Sequence, residues 1–573
     1  MSGHDARTLA TLLARADDAS LTALLSERRV PVSASWADFF DAADALLDPA
    51  SLARGIAALE RSEAETLRTA VESGAPVPAG PGRDGLVAHG LVDADGRVYG
   101  PAATLWGSLP PRDAAAPATG AGPAAEGAAH AAERAFAAST ALADVLQSAL
   151  EAPLSRIGSG ALAAADRRRL VDSGAVESAT AADELLAIAD AAGLIRGVDR
   201  HWVVTAPGAQ WLSERTVSRW HEVAQRLRDR MPSGLRTARG GWIDVDEWED
   251  AYPHDAAWPA QARTLRALLE RWAMIGPDGS APAWAHGLQA GDVADESALQ
   301  ALLPAEVDRV FLQNDLTAIA PGPLEPHLDM RLRSMALRES RAQASTYRFT
   351  AESLTAALTA GETAESLREF LSAISLTGLP QPLAYEIERN AQRHGNVRVG
   401  PDWSGRTTVT STDAGLLGAI AVDQALRPLG LVADGDVLVT RSSAETTFWM
   451  LADARYPVTA VGADGSPRAL RRTRLAHDDE STSDPAADYA PLLARLRAAH
   501  ETDADSAWLG RELEQAVRSH AVLTIVVRLP GGGEREVTLE ATGLGGGRLR
   551  GLDRGADVER TLPISSIASV RHV

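Results

Sequence analysis

The chain contains no lysine and no cysteine, so all 56 of its basic residues are arginines. Each absence removes a chemistry. A P-loop needs a lysine to reach the β- and γ-phosphates of a nucleotide, and Schiff-base catalysis needs a lysine amine. These 573 residues hold neither a G-x-x-x-x-G-K-[ST] segment nor a DExH-like acidic box, which excludes a conventional ATP-driven motor from them. Without cysteine there is no disulfide, no thiol nucleophile and no cysteine-ligated zinc or iron–sulfur site. Long apolar runs are missing too: no window holds 18 uncharged apolar residues, so no membrane span is expected. The opening MSGHDARTLATLLARADDAS carries acids and lacks the apolar stretch and cleavage site of a secretion signal, which leads to the expectation of a cytoplasmic protein.

Positive charge is scarce. Against 77 acids the arginines leave a net charge of −21. Non-specific DNA affinity comes from cations that neutralise phosphates, so bulk attraction to nucleic acid is excluded and any contact must be local. Arginine suits such a contact, because its planar fork chelates phosphates and guanine edges.

The apolar fraction is 45%, ordinary for folded modules, and the length predicts three to five domains. Residues 1–75 place Leu, Ile and Ala at helical spacing, and DGLVAHGLVDADGRVYG then reads as a short helix, a Gly90 cap and a hairpin with an Asp-Gly turn. That outline, a helix followed by a hairpin, fits a winged helix and recurs at Asp183–Thr205 and, more weakly, at Arg263–Trp284. The expected organisation is a helical and winged-helix-like module over 1–109, an Ala/Pro/Gly-rich linker over 110–138 and tandem winged-helix-like modules over 139–304. An α+β domain follows over 305–475, then an acidic linker over 476–506 and a small SH3/Sm-like β-barrel over 507–573. Within 305–475, VFLQNDLTAIA reads as one buried strand, and helices are expected near 324–342, 351–359, 363–375 and 381–394. The tryptophans crowded between Trp202 and Trp284 sit among Leu and Val at helical spacing, which assigns them to the core rather than to base stacking.

Catalytic patterns are absent. The thirteen histidines form no H-x-H or H-E-x-x-H, the Gly158-Ser159-Gly160 stretch is not a G-x-S-x-G elbow, and the glycine-rich Gly543–Gly547 precedes a strand rather than a helix. No catalytic residue, metal site or cofactor is expected. The electrostatic candidates for nucleic acid are Arg468, Arg471, Arg472 and Arg474 in RALRRTRL, with a second run at Arg167, Arg168 and Arg169. The acidic stretch that begins at Asp478 is an alternative partner for the first run.

Three segments between Val310 and Gly400 carry a resemblance: VFLQNDLTAIAPGPL, STYRFT and GLPQPLAYEIERNAQRHGNVRVG. Gln313 and Asp315 in the first, Tyr347 and Arg348 in the second, and Arg393, His394 and Gly395 in the third match, in order and spacing, the helicase-associated domain of XPB-type DNA helicases. That domain also occurs in motor-less actinobacterial proteins. In XPB-type proteins it docks partner proteins beside the motor, so the resemblance implies a docking module for a superfamily-two helicase or a nuclease. Local physics accounts for part of the motif. Asp315 reads as a turn acceptor or as a partner for a neighbouring backbone N–H, Arg348 has Glu352 within sequence reach, and His394-Gly395 reads as a helix end.

The C-terminal segment resembles the WYL domain, an Sm-like barrel that binds nucleic-acid or nucleotide ligands. The match rests on its helix–strand opening and on RTLPISSIASV. Gly547-Arg548-Leu549 stands where Trp-Tyr-Leu is usual, so an anionic groove there would fall to Arg528, Arg548, Arg550 and Arg560, whose alternative reading is solvated charges on outward strand positions. Three functions follow as expectations: a non-catalytic accessory of DNA repair or other DNA transactions, a winged-helix transcriptional regulator, or a protein scaffold without nucleic-acid contact.

Overall fold

A computed structural model of the chain describes residues 2–110, 126–341, 344–402, 405–466, 468–470, 475–476, 485–529, 533–554, 556 and 558–572. They form a mixed α/β protein whose buried residues fall into five apolar clusters. Among the described residues no helix is long and apolar enough to cross a membrane.

The first cluster is built by short amphipathic helices from Ser2–Arg15 to Gly100–Ser108, with Leu9, Phe39, Leu52 and Leu67 at their contacts. Helix Pro81–Ala88 ends at a left-handed Gly90, and the expected hairpin shrinks to a single bridge between Val92 and Val98. The Asp93 carboxylate accepts from the N–H groups of Asp95 and Arg97, which holds the turn without a ladder.

The same cluster overturns the acidic linker expected over 476–506. Pro485–Arg518 is one 34-residue helix. Tyr489, Leu492, Leu493 and Leu496 recur at i, i+3, i+4 and i+7, and all four are buried in the N-terminal core. The Tyr489 hydroxyl donates to the carbonyl of Val30 at 2.6 Å, and Arg497 donates to the carbonyls of Ala14 and Ala16 and to the Asp18 carboxylate. At its other end Leu513 and Ala516 enter the core of the C-terminal sheet. The helix therefore ties the first module to the last. Acid content conceals it, because composition weighs the acids and not the helical spacing of the leucines.

The linker expected over 110–138 is likewise shortened: helix Ala128–Glu151 begins inside it and buries Ala131, Ala132, Ala135 and Ala138. Alanine is the strongest helix former, and its small side chain allows close helix packing, so a composition that reads as a linker also suits a buried helix. From there the order is helix Ala128–Glu151, strand Leu154–Ser155, helices Ala164–Asp172 and Ala179–Ala191, then strands Ile195–Val198 and His201–Val204. The last two form a hairpin around Asp199, and Leu154–Ser155 pairs on the outer side of His201–Val204. All eight tryptophans between Trp202 and Trp284 are buried. Trp220 and Trp272 each donate their indole N–H to the other's carbonyl, at 2.6 and 3.0 Å.

The expected domain over 305–475 contains two apolar clusters, split near residue 395. In the first, VFLQNDLTAIA is a hairpin rather than one strand: Phe311–Leu312 pairs with Thr317–Ala320 around Leu316, whose φ is 64°. The segment expected as a helix over 324–342 divides into helix Pro326–Arg333 and strand Leu337–Arg341. Pairing with Ser345–Arg348 overrides the helical propensity of Leu337, Arg338 and Glu339. The sheet runs in the order Phe311–Leu312, Thr317–Ala320, Ser345–Arg348, Leu337–Arg341, backed by helices Ala351–Thr359, Ala364–Ile374 and Gln381–Arg393. The second cluster packs helices Ala414–Val422 and Ala444–Asp453 on a five-stranded sheet, in which Val458–Ala460 runs parallel to Val397–Pro401.

The C-terminal sheet also has five strands, in the order Val558–Pro563, Arg548–Asp553, Glu534–Gly545, Val522–Arg528, Ile567–His572. It is open where a closed barrel is expected. Its two outer strands, Val558–Pro563 and Ile567–His572, do not pair with each other, and helix Pro485–Arg518 covers the apolar face instead.

Candidate functional site

The residues of the Val310–Gly400 motif separate into a structural set and a surface set. In the first hairpin the Thr317 hydroxyl donates to the Asp315 carboxylate at 2.6 Å and lies 3.3 Å from the Gln313 side-chain oxygen. Both therefore lock a turn, as expected for Asp315. Arg348 pairs with Glu339 on the neighbouring strand, not with Glu352, because the antiparallel register sets Arg348 opposite Leu337 and brings Glu339 alongside.

Tyr347 is 1% exposed and donates its phenol to Asp329 at 2.5 Å. Burial, with the Asp329 charge beside it, pushes that phenol above its ordinary pKa. Asp329 in turn stands 3.7 Å from Arg333 and 3.8 Å from Arg338. These two arginines converge on Asp144 of helix Ala128–Glu151, each at 2.5 Å, and Asp144 is only 2% exposed. A buried carboxylate from the upstream module thus clamps two arginines of the motif-bearing domain. Arg219, also buried, donates to the carbonyls of Trp211 and Leu212, and burial pulls its pKa down to about 10. Sequence reading missed this network, since Asp144 lies 189 residues from Arg333 and nothing local marks it.

Arg393, His394 and Gly395 lie elsewhere. Gly395 takes φ 82° at the end of helix Gln381–Arg393, and a Cβ there would come within 3.1 Å of the Thr459 hydroxyl. Arg393 is exposed, and no described side chain pairs with its guanidinium. His394 is half-buried and its Nδ1 has no hydrogen-bond partner among the described residues; burial holds the imidazole below its usual pKa. Both side chains line a cleft against helix Ala128–Glu151.

Two arginines of the runs, Arg167 and Arg169, are engaged. Arg167 donates to Asp183 and to the Leu162 carbonyl, and Arg169 donates to Asp166; Arg168 is exposed. Arg468 is exposed, and its N–H donates to the Ala460 carbonyl; Arg471, Arg472 and Arg474 lie outside the described residues, as does the acidic stretch from Asp478. On the C-terminal sheet Arg560 pairs with Asp553 at 2.6 Å and Arg528 stands opposite Glu534. Arg528, Arg548 and Arg550 are exposed, while Arg560 is engaged by Asp553.

The helices of the two later winged-helix copies carry few unpaired cations, and the expected hairpin after Trp258–Arg271 is absent: no strand is described between Val204 and Phe311. Ala179–Ala191 has no arginine, and its Asp183 and Glu184 bind Arg167 and Arg271. On Trp258–Arg271, Arg263, Arg266 and Arg271 pair with Glu249, Glu270 and both Glu177 and Glu184. Among the described residues no group of three or more His, Asp or Glu side chains is placed to hold a metal ion.

A family model described as a helicase conserved C-terminal domain matches residues 310–434. The match takes in the four-stranded sheet, its three backing helices and the first strands of the next sheet. No curated protein matches the chain. Residues 310–434 are thus similar to a helicase C-terminal domain, which supports a helicase-associated domain in this part of the chain.

Proposed function

We propose that this chain is a non-catalytic accessory of DNA transactions that docks a separate superfamily-two helicase or repair nuclease through its XPB-type helicase-associated domain. The observation that carries the reading is a helicase-type domain over 310–434 in a sequence without a single lysine. A P-loop ATPase has no lysine to work with here. What remains of a helicase in these residues is a surface for positioning.

The module from Ala128 to Val204 is best read as a winged helix, on its order of helix, strand, helix, helix and hairpin. Winged helices divide between DNA readers and protein-docking modules, and the fold alone does not choose. Intramolecular pairing of the arginines on Trp258–Arg271, and the lack of any on Ala179–Ala191, favour docking over base reading. That pairing supports the accessory role over the transcriptional regulator. The WYL-like reading of the C-terminal sheet keeps exposed Arg528, Arg548 and Arg550 as its cationic positions.

Salt-titrated binding to forked, single-stranded and duplex DNA tests the reading. The account expects weak binding that prefers forks or single strands and falls steeply with salt. A tight, sequence-specific duplex site overturns it in favour of the regulator. No binding even at low salt leaves a protein scaffold.

A further inference from the structure

The small sheet of the module from Ala128 to Val204 carries two arginines that no described carboxylate pairs with. Beyond the pairing of Ser155 with His201, the Arg156 N–H donates to the Arg200 carbonyl at 2.7 Å, so the two are cross-strand neighbours. Like charges placed opposite each other repel, which destabilises the sheet unless an anion comes between them. Arg200 is exposed, and neither guanidinium has a hydrogen-bond or ion-pair partner among the described residues. Two acids stand near. Asp190 feels the charges of Arg230, Arg156 and Arg196 without forming an ion pair to Arg156, and Asp199 is exposed at the hairpin turn.

Stacking sets the Arg156 guanidinium in place. Its Cζ lies 5.2 Å from the centre of the Trp202 ring, and a Cβ at Gly197 would come within 3.1 Å of its Nε. That Nε is buried without a partner, while the two terminal nitrogens reach solvent. A guanidinium held flat on an aromatic face has little freedom left to lose when it takes up an anion. The turn Ile157–Gly160 borders it. Gly160 takes φ 89°, and a Cβ there would come within 3.4 Å of the Arg156 Nη2. Gly160 donates to the Ile157 carbonyl at 2.9 Å, whereas the N–H groups of Gly158 and Ser159 have no partner among the described residues. Both residues are exposed, and open space stands where Gly158 would carry a Cβ.

Two guanidinium groups beside the free N–H groups of a glycine turn are the complement of a phosphate, which brings negative charge and several acceptor oxygens. We propose that this corner binds one phosphate of a nucleic-acid backbone, with Arg156 and Arg200 on its charge and the Gly158–Ser159 turn on an oxygen. A backbone contact of this kind carries no sequence information, which fits a helix Ala179–Ala191 that has no arginine to read bases. The inference rests on the DNA-binding part of the proposed function and names a contact point for it.

Fluorescence anisotropy of labelled forked and single-stranded DNA with the full chain, taken across a salt series, tests it. Arg200→Ala, which leaves the Trp202 stack intact, should weaken binding about tenfold and reduce the slope of log K against log salt by about one. Arg156→Ala combined with Arg200→Ala should reduce the slope by about two, and equally for strands of different sequence. Arg97→Ala, at an exposed position in the first module, removes the same charge elsewhere and should leave the slope unchanged. DNA binding that keeps its slope in the double variant, or loses as much in Arg97→Ala, overturns the site while the DNA reading stands. No DNA binding even at low salt removes that reading and the site with it. Calorimetry with inorganic phosphate checks the source. Phosphate that binds as tightly as a strand, and is lost in Arg200→Ala, would make the corner a free-phosphate site and overturn the strand.

Discussion

His89 is held between two carboxylates. Its Nδ1 meets Glu27 at 2.8 Å and its Nε2 meets Glu63 at 3.2 Å, while its backbone carbonyl accepts from the buried Arg28. Burial alone would lower its pKa, but the hydrogen bonds and charges of Glu27 and Glu63 outweigh that and raise it to about 9. The folded value lies above the unfolded one of about 6.5, so the stabilisation is complete below that pH and is lost as pH climbs through about 9. The cluster should contribute up to about 3 kcal/mol at pH 6. Urea denaturation of His89→Gln against the unaltered chain should show a gap that is wide at pH 6 and closes by pH 10; a gap independent of pH would contradict the ion sandwich. Asp144 makes a second prediction at this scale. Asp144→Ala leaves Arg333 and Arg338 buried with only the more distant Asp329, and should cost about 3 kcal/mol, read from the denaturation midpoint. Neither cluster is legible in the sequence, because its members come from segments tens to hundreds of residues apart. Asp315, whose partner Thr317 lies two residues away, is legible for the opposite reason.

Helix Pro485–Arg518 works as a clasp, since one end lies in the first core and the other in the last. Replacing Leu492 and Leu496 together by alanine should cost about 4–6 kcal/mol if both cavities persist, and should release the helix from Ser2–Arg15 and Asp18–Glu27. Hydrogen exchange would then rise in those two helices while the sheet Val522–His572 stays protected; uniform protection would sink the clasp. Elements of strong period were readable here. Helices Ala351–Thr359, Ala364–Ile374 and Gln381–Arg393 fall within a residue or two of their expected bounds, aided by threonine caps at Thr350 and Thr363 and by Pro380 and Pro382. Composition misled where it outvoted period. The clasp looked like an acidic linker although its leucines keep helical spacing, and Ala128–Ala138 looked like a linker because alanine marks both flexible and tightly packed segments.

At the scale of the molecule, the helicase-associated domain is tied to the preceding modules by buried charge, and those modules use most of their arginines internally. With a net charge of −21, bulk attraction to DNA is disfavoured, so the DNA contact of the proposed role falls to a few cationic points. The kind of domain at 310–434 was readable from short motifs, but the cleft it forms with helix Ala128–Glu151 depends on tertiary placement and could not be. The proposed accessory role requires that these 573 residues carry no ATP-driven motor. Phosphate release and strand separation, followed with purified chain, magnesium-ATP and forked DNA, test that requirement most directly. The prediction is neither above background at any chain concentration. ATP turnover that scales with the chain and is stimulated by the fork would contradict it.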